Sequence, residues 1–156
     1  WLKTATGRLV SRWGELGISD YEPKAAHIAH NGTFYYTGWN DAHYIRWSLT
    51  DTEFLGQCLQ QLEKDLVNAS ARADRIIVMT HHLPFENLVP RKPNDPNFSF
   101  GNAFTGSGRL GELIQQYPAV KLSISGHTHE PLYRQNGNVA CYNICSAGGE
   151  LFEKEL

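Results

Sequence analysis

Residues 75–80, RIIVMT, form a nearly unbroken apolar run that leads directly into His81, His82, Leu83, Pro84 and Phe85. A run of that length and composition is the pattern of a strand covered on both faces, as in sheets flanked by helices. A second strand pattern, VKLSISG at 120–126, leads into His127, Thr128 and His129. A helical pattern precedes each of them. Thr50 and Glu53 have capping-box spacing, and Phe54, Leu55, Cys58, Leu59, Leu62 and Leu66 then recur at helical intervals. Ser107 and Gly108 open RLGELIQQY, which carries Leu110, Leu113 and Ile114 on one side and is stopped by Pro118. The alternation predicts an α/β fold. Ligands of open α/β sheets gather beyond the carboxyl ends of strands, where both histidine pairs fall.

The rest of the chain is less regular. Residues 1–32 mix Gly7, Gly14, Gly17, Pro23 and Gly32 with scattered aromatics, which predicts loops and one short helix. FYYTGW at 34–39 and YIRWSL at 44–49 are rich in aromatic and β-branched residues around the turn-forming NDAH, and predict a hairpin of two strands. Residues 83–106 include Pro84, Pro90, Pro93 and Pro96, and read as a long loop of the kind that walls a substrate cleft. Near the end, LYRQ and VACYNICS flank Asn136, Gly137 and Asn138, a strong hairpin signal. A length of 156 residues suffices for one domain with a real core, and residues 1–156 are read as such.

Charge and composition narrow the function classes. Sixteen acidic against fourteen basic residues give a formal charge of −2, which sets up no field for nucleic acid or an anionic membrane. No apolar run approaches the roughly 18 residues of a membrane span, and no signal-peptide pattern opens the chain. Cys58, Cys141 and Cys145 lack CxxC spacing and read as reduced, buried thiols of a cytoplasmic protein.

The histidines carry the chemistry. His81, His127 and His129 are candidate metal ligands, because neutral imidazole suits transition ions, and Gly126 is expected to let the backbone turn sharply ahead of them. Neighbours in an extended chain point to opposite sides, so His81 and His82 are not expected to ligate one ion together. His127 and His129, two apart, start on the same side and suit either one ion or two lying side by side. A mononuclear three-histidine zinc site is chemically sound on the same residues.

RIIVMTHHLPF and KLSISGHTHEP, in this order and about 45 residues apart, resemble the last two motifs of the calcineurin-like metallophosphoesterases, and the resemblance covers most of the chain. It implies part of a four-layer α/β/β/α sandwich. It also implies two divalent metal ions, drawn from Mn, Fe, Zn, Ni or Co, bridged by an aspartate and a water or hydroxide that attacks the phosphorus of a phosphoester substrate. Carried over residue by residue, His81 and His127 match ligands of one ion and His129 a ligand of the other. His82 matches a neighbouring non-ligand position and is a candidate catalytic residue. Paired ions roughly 3.5–4 Å apart clamp attacking and leaving oxygens. The family's D-x-H, G-D-x-x-D and G-N-H-D/E motifs are not found where the pattern expects them; Asp41-Ala42-His43 has the first spacing but sits mid-chain and reads as a coincidence in a turn.

With Trp1 in first position, the chain is therefore expected to be the C-terminal portion of a phosphoesterase domain, completed by a missing N-terminal half or by another chain. Its sheet edges are expected to be sticky. The alternative is a catalytically inactive fragment or interaction module that binds at most one metal. Elsewhere, Arg109 is a candidate for substrate binding and catalysis, since guanidinium matches phosphate oxygens bidentately; Arg91 and Lys92 lie near the same loop, and solvated surface charge is the ordinary alternative for all three. Asn102, with amides opening the following helix, is a candidate anion site, with ordinary capping as the alternative. His27, His30 and His43 read as surface or structural residues. Trp13, Trp39, Trp47, Tyr35, Tyr36 and Tyr44 read as core rather than as a pocket for an aromatic group.

Overall fold

The computed structural model describes residues 2–3, 8–11, 14–19, 27–30, 33–36, 44, 48–49, 51–92, 94–95, 98 and 101–144. The chain divides into two compact units, Trp1–Gly56 with Arg91–Phe104, and Gln57–Pro90 with Thr105–Leu156.

In the first unit, β1 (Leu2–Lys3), β2 (Arg8–Ser11) and β3 (Gly14–Ser19) pair antiparallel in that order. Strands stand where loops and a helix were expected: β1 and β2 are only two and four residues long, and Gly14 and Gly17 erase in β3 the alternation by which strands are read. β4 (His27–His30) and β5 (Thr33–Tyr36) form a separate antiparallel ladder in which His30 faces Thr33. The aromatic run at 34–36 is thus a strand, but it pairs backwards onto β4, while of the expected partner segment Tyr44 is helical and Ser48 and Leu49 lie in bends. Asn-Gly is the dipeptide that best tolerates a two-residue hairpin turn. Asp41, Ala42 and His43, the tryptophans and Cys145 lie outside the described residues.

Helix α1 spans Asp51–Ser70, as the capping box and periodicity predict. Leu55, Leu59 and Leu62 are half-buried and Leu66 is sealed, whereas Phe54 and Cys58 are exposed; the expectation of a buried Cys58 fails because it stands off the Leu59–Leu62–Leu66 stripe.

The second unit holds β6 (Ile76–Met79), α2 (Gly108–Gln115), β7 (Val120–Ser125), β8 (Leu132–Asn136) and β9 (Val139–Asn143). Its sheet runs β6-β7-β9-β8, with β6, β7 and β9 parallel and β8 antiparallel to β9. Asn136 faces Val139 across a turn whose Gly137 has φ 58°, as the hairpin signal requires. The core is formed by Leu66, Leu83, Leu88, Ile114, Val120 and Cys141.

One expectation about this sheet is corrected. β6 is covered on one face only: Ile76 and Val78 are buried, while Ile77 and Met79 are 45% and 73% exposed. The register carries Met79, Ile124, Tyr142 and Tyr133 in a row across the four strands on the open side. A continuous apolar run records that both faces are apolar and does not record whether both are covered.

Candidate metal centre

The two histidine-bearing segments leave adjacent parallel strands at the same end of the sheet. Met79 of β6 faces Ile124 of β7, and pairing continues past the strands. The Thr80 N–H donates to the Ile124 carbonyl at 2.9 Å, and the Gly126 N–H donates to the His81 carbonyl at 3.1 Å. Main-chain bonds therefore fix one histidine turn against the other before any side chain contributes. The segment after His82 is anchored as well: the Leu83 N–H donates to the Thr105 carbonyl, and the Ser107 N–H donates to the Leu83 carbonyl.

On that frame the rings of His81 and His127 meet. His81 Nε2 lies 2.9 Å from His127 Nδ1, with the rings near perpendicular and their centroids 4.8 Å apart. His82 joins them, its centroid 5.1 Å from His81 and 4.7 Å from His127. Alternation does not separate His81 from His82, because both lie in a bend beyond the end of β6, where period-two geometry no longer applies. The Thr80 hydroxyl donates to the His82 carbonyl at 2.8 Å and braces that bend.

The second turn is shaped by its histidines. His127 has φ 72° and His129 φ 55°, and the Thr128 N–H donates to the Gly126 carbonyl at 2.9 Å across His127. That bond spanning a residue with positive φ is a γ-turn of the rare, strained hand. Left-handed backbone at a non-glycine residue costs about 1–3 kcal/mol and persists only where its surroundings over-determine it. The expectation that Gly126 makes the sharp turn is corrected: Gly137 is the positive-φ glycine among the described residues.

Two nitrogens bound to one ion at about 2.0–2.1 Å stand roughly 2.9 Å apart at a right-angled coordination site and roughly 3.4 Å apart at a tetrahedral one. The His81–His127 separation of 2.9 Å thus fits two adjacent positions on one ion, replacing the single proton the two nitrogens share without it. The fit stops at half a coordination sphere. Among the described residues no group of three or more His, Cys, Asp or Glu side chains closes around a common point. His129 is exposed.

Of the remaining candidates, Arg109 belongs to the second unit and Asn102, Arg91 and Lys92 to the first. Arg109 is exposed in the first turn of α2. Asn102 belongs to the first unit, where it is buried and opens a single turn of 3-10 helix at Asn102–Phe104. Arg91 and Lys92 are exposed in that same unit, with Lys92 Nζ 4.3 Å from the Phe98 ring centroid. Thr80, Thr128 and Asn143 escape a search of the sequence for metal ligands; the visible sign of Asn143 is a polar residue in an otherwise apolar strand run.

The imidazoles cluster beyond the carboxyl ends of two parallel strands, the place where ligands of open α/β sheets gather. The profile of the calcineurin-like phosphoesterases matches residues 3–131, a span that contains both histidine segments. The chain belongs to the calcineurin-like phosphoesterase family, whose function is phosphoester cleavage and whose members generally depend on two metal ions. No curated protein and no solved structure matches it. No helix among the described residues is long and apolar enough to cross a membrane.

Proposed function

We propose that this chain supplies the C-terminal histidine ligands of a metal-dependent phosphoric-ester hydrolase. The carrying observation is the approach of His81 Nε2 to His127 Nδ1 from two separate strand ends. His81 and His127 hold one divalent ion, and His129 serves the second ion of the intact site. Two divalent ions there supply Lewis acidity toward the phosphoryl oxygens and lower the pKa of a bound water toward about 7. His82, its ring tilted against that of His127 with centroids 4.7 Å apart, is the candidate for exchanging protons at the site. Arg109 offers a guanidinium to the substrate phosphate.

Neutral imidazoles offset none of the four positive charges of two divalent ions, so the centre requires carboxylates, which this reading assigns to residues outside the described set. A second reading, a non-catalytic module that binds at most one ion, draws support from the sequence, where the D-x-H, G-D-x-x-D and G-N-H-D/E motifs do not stand where the family pattern expects them. The free thiols Cys58 and Cys141 favour a reducing, cytoplasmic setting.

Hydrolysis of aryl phosphate mono- and diesters with each candidate ion, alongside metal content, separates the readings. Two bound ions with turnover that His129→Ala abolishes support the hydrolase. One ion without turnover supports the module.

A further inference from the structure

We infer that Asn143 is a positioning residue for the His127–His129 turn, an inference that rests on the reading of His127 as a ligand. Asn143 is 2% exposed and lies on β9 opposite Ser125, the last residue of β7 before the turn. Its Nδ2 donates to Thr128 Oγ1 at 2.6 Å and to the Glu130 carbonyl at 2.6 Å. Both amide hydrogens are thereby used. Its Oδ1 accepts from the Ser125 hydroxyl at 3.3 Å, and the Ile144 N–H donates to the Ser125 carbonyl at 2.8 Å, so the side chain is itself fixed at the strand end.

The two anchor points, Thr128 and Glu130, lie on either side of His129, and Thr128 directly follows His127. Among the described residues, His127 and His129 are the two non-glycine positions whose φ is positive. Histidine does not choose that backbone unaided, and the restraint has to come from outside the turn. Asn143 provides two of the bonds that hold it. Only a side chain with two N–H donors and this reach satisfies both acceptors; an aspartate of the same shape offers none. Through this path a residue that touches no ion sets the direction of the His127 ring toward His81. Hydrogen-bonded partners that orient metal ligands are worth about 10–100-fold in metal affinity.

The test uses the full chain and the variants Asn143→Ala, Thr128→Val and Thr128→Ser, each checked by urea unfolding. In the metal-free protein, NMR reads the His81–His127 ring proximity and amide exchange of residues 128–130; zinc titration then reads affinity. Asn143→Ala and Thr128→Val are expected to lose the ring contact, to exchange faster and to bind zinc about 10–100-fold more weakly, with Thr128→Ser restoring all three. A Thr128→Val protein that folds and keeps the ring contact and slow exchange overturns the inference, and it decides the matter if Asn143→Ala does not fold. If the parent chain takes up no zinc, the metal reading fails, while ring contact and exchange still decide the role of Asn143.

Discussion

At the scale of single residues, two side chains show how surroundings set chemistry. His127 is presented by a strained turn, and the Thr128 that follows it is held by Asn143 on the adjacent strand. Cys141 is the opposite case, a nucleophile kept inert. Burial pushes its thiol above the ordinary 9.0, against a smaller lowering effect of the Asn136 side-chain amide. The folded state therefore holds this proton more tightly than the unfolded state. The resulting stability is fully present below pH 9.0 and is lost as pH rises through the higher folded value. Urea midpoints measured on either side of pH 9.0 should fall in the alkaline limb, and Cys141→Ala should flatten that fall. Iodoacetamide should label exposed Cys58 in the native protein and reach Cys141 only on unfolding. Sequence reading identifies the imidazole pair and misjudges how it is held. It credits Gly126 with the turn and expects alternation to point His82 away from His81, because backbone angles and the exact end of a strand are not encoded in spacing.

Among the elements, the fit of α2 against the His81–His82 segment is controlled by one small residue. A Cβ added at Gly111 would collide with the Pro84 carbonyl and lie 2.7 Å from the Phe85 ring. Backbone on one side and a buried ring on the other leave little room to yield. Gly111→Ala gains about 1 kcal/mol of helix propensity. The overpacking costs about 1–3 kcal/mol, and the collision with main chain places this site at the upper end. A net loss of stability by urea unfolding is expected, and a gain would show that α2 is not seated on Pro84 and Phe85. Elements of the second unit are legible because their periods are clean and their turns carry the residues each turn type demands. Those of the first unit are not, since β1 and β2 are only two and four residues long and β3 contains Gly14 and Gly17. Asn31-Gly32 is a legible hairpin signal overshadowed by the aromatic runs beside it.

Over the whole molecule, the family match at residues 3–131 takes in segments of both units, yet every histidine of the ring cluster lies in the second. The parallel order β6-β7 brings residues 81 and 127 together despite their separation in sequence, which is why two motifs that are weak singly become one site in space. The acidic ligands are not legible from this chain because charge balance states that they are needed without stating where they stand. The central claim is that the two facing nitrogens are a ligand pair rather than a hydrogen-bonded pair. Calorimetric titration of the full chain with zinc, repeated on His81→Ala, His127→Ala and the double variant, tests it most directly. The account predicts that each single substitution weakens binding strongly and that the double variant is little worse than either, since both nitrogens serve one ion. Single substitutions that leave affinity unchanged, or losses that simply add, would contradict it.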